Sequence, residues 1–498
     1  MSTVAIIGAG FSGLSAACYM AAAGHEVHLF EKNNAAGGRA RQLKTGNGFV
    51  FDMGPSWYWM PDVYEKFFSD FNHQISDFYQ LELLHPAFDM VFGKNNIEHI
   101  PQNFEELCLW FEKIEPGSAA QLKKFMHEAE FKYKTGMEKL VYKPGLSVTE
   151  FINADVIAGL FRLQIFSSFS THIRKYFSNE KLLLLMEFPV LFLGAMPEET
   201  PALYSLMNYA GLKSGTWYPQ GGFGKVVDAF VELAKSLGVK FHFNTPVEKI
   251  NTSKDSVVSV SVDGVDFPCH GVIASADYHH VENKLLDTSK RNYTEKYWNQ
   301  KTFAPSCLVF YIGINRKLAA INHHTLFFDE SLHRHSIEIY KKQQYPSQPL
   351  FYMCCPSKTD TSVAPKGCEN IFLLMPIAPG LPDTEQSREK YFDIMLDRIE
   401  KNFGESLHEN IIYKKSYCIN DFVNDYNSYK GNAYGLANTL MQTAILKPKI
   451  KNRKIKKMIY AGQLTVPGPG VPPAIISGKI AARLLQKELR TTPHEAAF

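Results

Sequence analysis

Val4-Ala5-Ile6-Ile7-Gly8-Ala9-Gly10-Phe11-Ser12-Gly13-Leu14 is an apolar run that ends in Gly-x-Gly-x-x-Gly and passes into small residues suited to a helix. The pattern predicts a short buried strand, a tight turn and a helix start. Each glycine has a task in that reading. Gly8 allows the turn, Gly10 lets a pyrophosphate approach the backbone, and Gly13 lets the helix pack closely on the strand. Ala9, Phe11 and Ser12 complete the same phosphate-binding turn, where free N–H groups and the helix dipole favour negative charge.

The next segment, Glu26-Val27-His28-Leu29-Phe30-Glu31-Lys32, predicts a second strand. Glu31 falls near the spacing at which a carboxylate meets a ribose hydroxyl, with Lys32 beside it. Glycines alone can simply make a tight turn, and an acid at a strand end is often only solvated. Strand, turn, helix, strand and acid in this order point instead to a Rossmann-type unit in an α/β fold.

Bulk properties narrow the class. The 498 residues suggest about three domains or one large interleaved pair. A formal charge of +3 supplies no global field for nucleic acid, so no nucleic-acid partner is expected. Eight cysteines are scattered with no CxxC, which predicts reduced thiols in a cytoplasmic compartment. Only Met1, Ser2 and Thr3 precede the first strand, too few for a signal peptide, and no stretch reaches the ~18 apolar residues of a spanning helix.

Further on, Gly37-Gly38-Arg39 offers close backbone approach beside a phosphate-binding arginine, and Phe51-Asp52-Met53-Gly54-Pro55-Ser56 reads as a strand end and turn. The order of these motifs resembles the phytoene desaturase family of carotenoid-modifying flavoproteins, whose wider relatives are amine oxidases and protoporphyrinogen oxidases. Two more stretches are similar to that family and more specific than the glycines. One is Pro356-Ser357-Lys358-Thr359-Asp360 with Ala364-Pro365-Lys366-Gly367. The other is the tail from Tyr460-Ala461-Gly462-Gln463 to Gly470-Val471-Pro472, with Gly478 beyond.

The resemblance implies FAD as cofactor and a Rossmann-type FAD-binding domain, with a mixed-sheet substrate domain and a helical insertion. It divides the chain into 1–80 with 215–290 and 450–498 for FAD, 81–103 with 291–449 for substrate, and 104–214 as the insertion. It adds to the cofactor site Gly38, Arg39, Gly54, Pro55 and Ser56. Val247 is expected in backbone contact with adenine and Ala276 near the pyrophosphate. Gly462 and Gln463 would flank the pyrophosphate and ribityl chain, and Gly470, Val471 and Pro472 would start a final helix beside the flavin's pyrimidine. Gln463 departs from the acid that relatives often carry there, and would contact the cofactor without adding charge.

Two features stay open between readings. The apolar runs flanking Arg162 (156–161 and 163–166) and Glu187 (182–186 and 188–193) are either core helices, or a lining for a long apolar substrate or an entrance dipping into a bilayer. The seven basic residues between Lys447 and Lys457 are either a solvated connection or a contact with anionic lipid. His323-His324 and His333-x-His335 are read as packing or surface histidines, because no cysteine or carboxylate completes a metal spacing.

No Ser-His-Asp order and no paired carboxylates stand out, so no side chain is assigned to catalysis. Desaturation explains this: the flavin carries the redox step, and a weak base or water takes the proton. The expected protein is an FAD-dependent carotenoid desaturase of phytoene/lycopene type, or one acting at the 3,4 position of a γ-carotene-like, sometimes hydroxylated, substrate. It would be peripherally membrane-associated and pass electrons to oxygen or a quinone, since no second dinucleotide motif follows a strand. The rivals are an amine-oxidase-like enzyme and a non-enzymatic prenyl-lipid escort.

Overall fold

The computed structural model describes residues 1–147, 150, 164, 167–191 and 194–491. The opening run forms the strand Thr3–Ile7, buried from Val4 onward, and the helix Phe11–Ala22 follows at once. That strand is the centre of a five-stranded, wholly parallel sheet. Its order is Met458–Tyr460, Gly271–Ala274, Thr3–Ile7, Glu26–Phe30, Lys240–His242. Strands from the start, middle and end of the chain therefore lie side by side, as a parallel sheet with helical crossovers allows. Ser256–Val262 lies outside this sheet, in a separate three-stranded antiparallel one.

A second sheet has seven strands, ordered Ile411–Tyr417, Ser306–Ile314, Glu369–Ile377, Phe351–Cys354, His324–Phe327, Phe88–Val91, Ile97–Ile100. It is antiparallel except where His324–Phe327 runs parallel to Phe88–Val91. Ser306–Ile314 is buried along its whole length. Its side chains alternate between two cores: Cys307, Val309 and Tyr311 join the large core shared with the nucleotide sheet, and Leu308, Phe310 and Ile312 face a smaller one under the helix Glu385–Phe403. A strand covered on both faces reads as a continuous apolar run, which is what Ser306–Ile314 is.

The leucine-rich helix spans Glu180–Leu191. Leu182, Leu185 and Met186 are fully buried, and Glu187, which interrupts the run, is buried with Ser170 Oγ donating to it at 2.8 Å and Arg174 paired to it. The runs around Arg162, together with Phe192 and Leu193, lie outside the described residues. Among the described residues no helix is long and apolar enough to cross a membrane. All eight cysteines are free thiols.

Candidate functional site

Between the two sheets lies a cavity of about 880 Å³. One end is built by the first turn. Gly8 has φ +99°, a conformation that favours glycine, and its N–H donates to Phe30 O at 2.8 Å. A Cβ on Gly13 would stand 2.0 Å from Gly8 O, so only glycine lets the helix start this close to the strand. A Cβ on Gly10 would meet nothing within 4 Å. It faces open cavity, and no side chain caps the helix that begins after it. An uncapped helix start facing a hollow is suited to a phosphate.

Glu31 is buried, and its carboxylate accepts from Ala9 N at 2.8 Å and from Asn33 N and Nδ2 at 2.9 and 2.8 Å. These bonds fix the acid at the end of its strand, on the cavity wall. Lys32 points its Nζ to Asn424 O at 2.5 Å, and burial lowers its pKa. Ser12 and Ser275 hydroxyls meet at 2.6 Å and tie the first turn to the strand end that carries Ala276.

Arg39 lies across from these groups. Its Nη2 donates to Ser428 Oγ at 3.1 Å and Asn432 O at 3.3 Å, its guanidinium lies 5.1 Å from the Tyr426 ring centre, and its Nε is buried without a partner. Burial pulls its pKa down, opposed by the Asp277 carboxylate, and burial pushes Asp277 up. With its amide oxygen toward Arg39, Gln463 accepts from Nη2 at 3.0 Å and donates to Ala433 O at 3.2 Å. The helix Val471–Thr491 starts at the wall, and Gly462 N donates to Ser477 Oγ inside it at 3.0 Å.

Of the residues singled out in the sequence, Gly8, Gly10, Phe11, Ser12, Glu31, Lys32, Gly38, Arg39, Gly54, Pro55, Ser56, Val247, Ala276, Gly462, Gln463, Gly470, Val471 and Pro472 all line this one cavity. Ala9 and Gly13 do not reach the wall and act behind it, through the bond to Glu31 and the close packing just described.

The other end is different in kind. Trp57, Trp59, Phe188, Leu191, Met207, Leu326, Phe328, Leu332, Ile339 and Leu350 line it, with Tyr340, Tyr352 and Tyr434. The wall's carboxylates are Glu31, Glu248, Asp277 and Asp425. Glu31 and Asp277 follow nucleotide-sheet strands, Glu248 lies on the strand Val247–Ser253 of the three-stranded sheet, and Asp425 pairs with Arg41 at 2.6 Å. Among the described residues none stands at the apolar end. His335 stands there with the three tyrosines; it accepts from Leu350 N at 2.9 Å, and burial lowers its pKa to about 4, so it is neutral. Apart from Phe188 and Leu191, which fall in the apolar run after Glu187, these lining residues carry no signal in the sequence, because single positions on many elements converge only in space.

The residues present fit a flavin dinucleotide: an open glycine cradle, a fixed acid, a buried guanidinium with a spare N–H, and a helix start. Residues 11–486 match the flavin containing amine oxidoreductase family. A carotenoid 3,4-desaturase of Haloarcula japonica is 39% identical over 98% of both chains. A zeta-carotene-forming phytoene desaturase of Myxococcus xanthus is 28% identical, covering 99% of this chain and 94% of its own. Among solved structures, an oxidoreductase from Methanosarcina mazei superimposes with a TM-score of 0.65 at 16% identity, over 96% of this chain and 99% of its own.

Proposed function

The chain belongs to the flavin-containing amine oxidoreductase family, and on that premise we propose an FAD-dependent carotenoid desaturase that acts at the 3,4 position of an acyclic or one-ended-cyclic C40 polyene. The observation that carries the reading is the two-ended cavity, polar where a dinucleotide fits and, among the described residues, free of carboxylates where a substrate would lie. An ammonium substrate calls for an acid or comparable polar partner; a hydrocarbon calls for apolar walls and excluded water. The 39% identity to a 3,4-desaturase supports the finer position.

In this reading the Gly8–Gly13 turn and Ala276 hold the pyrophosphate, Glu31 with Lys32 the ribose, and Val247 the adenine. Gly38, Arg39, Gly54, Pro55, Ser56, Gly462 and Gln463 hold the middle of FAD. Gly470, Val471 and Pro472 set the helix start whose positive end favours a reduced, anionic ring. The division into 1–80, 215–290 and 450–498 for cofactor, 81–103 with 291–449 for substrate, and 104–214 as insertion is part of the proposal. When bound, FAD supplies the acceptor for a hydride from carbon. The aromatic and aliphatic wall excludes water from the developing cation, which the polyene delocalises, so the proton needs only a weak base or water.

The test is to incubate flavin-loaded protein with phytoene, lycopene and γ-carotene and analyse the pigments. Lycopene or γ-carotene gaining a double bond, with phytoene unchanged, is the expected result. Conversion of phytoene alone moves the activity to the early steps, and no new double bond with any of them sinks it. Repeating the assay without oxygen, with and without a quinone, separates the two electron acceptors. Peripheral membrane contact belongs to the same proposal, supported by the exposed side chains of Leu146, Met441 and Leu446 beside Lys449. Lys449 Nζ donates to Gly145 O and Ile445 O at 2.8 and 3.0 Å, holding the two segments together.

A further inference from the structure

His323 and His324 stand together at the start of the strand His324–Phe327, and antiparallel pairing sets His324 opposite Cys354. One nitrogen of each ring and the Cys354 thiol lie within 4.8 Å of one another. All three are buried, at 5%, 0% and 1% exposure. The adjacent Cys355 belongs to the smaller core on the other face of the sheet, so one thiol faces the histidines.

Both rings are already oriented. His323 Nδ1 is 2.7 Å from Thr359 Oγ1, and His324 Nδ1 is 2.6 Å from the Tyr352 hydroxyl. Each Nε2 is buried with no hydrogen-bond partner. An orphaned buried polar atom is ordinarily costly, and here two occur in rings grouped with one buried thiol. A ring held through one nitrogen with the other left free is the arrangement of a metal-ligating histidine. Burial lowers the pKa of His323 to about 3 and that of His324 well below its usual value, so both rings keep the neutral, ligating form.

We propose that His323 Nε2, His324 Nε2 and Cys354 Sγ form a buried three-ligand site for a soft d10 cation, copper(I) rather than zinc(II). The Cys354 S–H bond breaks as the metal–sulfur bond forms, its proton leaves to solvent, and no electron moves. Two neutral imidazoles, one thiolate and Cu⁺ sum to zero charge. Zn²⁺ would leave a net positive charge buried among these side chains, and thiolate donors select the softer ion. The site lies directly behind the cavity wall. Trp57 stacks on His324 at 4.1 Å between ring centres, and Tyr352 bonds to it; both line the apolar end. Fixing His324 therefore fixes two wall residues.

The test uses the flavin-loaded full chain under anaerobic conditions, titrated with copper(I) or zinc(II) against a chromogenic chelator for each ion. One copper(I) per chain withheld from its chelator is expected, with X-ray absorption reading one sulfur and two nitrogens. Cys354→Ser and His323→Asn should each weaken retention at least 100-fold. Cys355→Ser, and His408→Ala in the exposed Asp397, Glu400 and His408 group, should leave it unchanged. Flavin spectra and melting curves identify which variants are folded, and either ligand variant suffices. The site is overturned if wild type surrenders all its copper(I), or if a folded ligand variant retains it like wild type. Tighter binding of zinc(II) than of copper(I) overturns the choice of ion.

Discussion

Lys447 shows what a single residue's surroundings do to a sequence pattern. In the sequence it opens a basic run; in the structure it is 2% exposed, with its Nζ donating to Asn438 Oδ1 at 2.8 Å. Burial lowers its pKa from 10.5 to about 7. The native state thus favours the neutral amine, while the unfolded chain keeps its proton up to about pH 10.4. Stability contributed by this residue rises with pH between those values, by about 1.4 kcal/mol per unit, and the full penalty is present below pH 7. Lys447→Met keeps the volume and removes the charge. Its melting temperature should exceed wild type at pH 6 by several degrees, and the gain should shrink toward pH 10, where loss of the Asn438 bond dominates. A difference constant across pH would refute the buried-amine account. Two further members of the run pair within the chain, Lys451 with Glu488 at 2.5 Å and Lys456 with Asp255 at 2.9 Å. Glycines such as Gly10 were legible because backbone geometry alone defines their task. Lys447 was not, because nothing local marks a lysine for burial.

At the scale of elements, the first and last helices carry the cofactor end between them. Gly478 sits where Val471–Thr491 crosses Phe11–Ala22, and a Cβ there would stand 2.3 Å from Ser12 O and 2.8 Å from Ser15 Cβ. Ser15 Oγ donates to Ile475 O at 2.7 Å across the same crossing. Gly478→Ala should therefore force the helices apart and destabilise the fold by about 1–3 kcal/mol, the usual range for overpacking. Because Val471 begins at the cavity wall, flavin affinity should fall as well, read by fluorescence on release. Unchanged stability would mean that the crossing yields without cost. Gly478 was visible in the sequence as part of the tail pattern, but its partner, the first helix, lies more than 450 residues away. The helix Glu180–Leu191 marks the limit of periodicity. Leu182, Leu185 and Met186 serve the core while Phe188 and Leu191 line the cavity, so core and lining are both present in one helix. The apolar run is uniform, and only the partners distinguish its faces.

At the scale of the whole molecule, three separated stretches assemble one parallel sheet, and a second sheet supplies the facing wall of the cavity. The α/β class and the flavin-oxidoreductase fold were legible because glycine spacing and strand patterning are local signals. The apolar end was not, since it is a property of packing. What the cavity leaves unexplained by itself is how a polyene, insoluble in water, reaches it. Leu146 and Leu446, exposed at 38% and 43%, lie on the two segments that Lys449 joins, and Met441, exposed at 70%, precedes Leu446 on one of them. Three such side chains with nearby lysines are the composition of an interfacial patch, where apolar area and attraction to anionic headgroups add. Met441→Glu combined with Leu446→Glu alters neither cavity nor core. The pair should reduce recovery with anionic liposomes in a flotation gradient at least tenfold and leave the flavin spectrum and melting temperature as in wild type. Turnover of carotenoid delivered in detergent micelles should persist, while turnover from liposomes falls. Equal flotation of both proteins would remove this surface from the route by which substrate arrives.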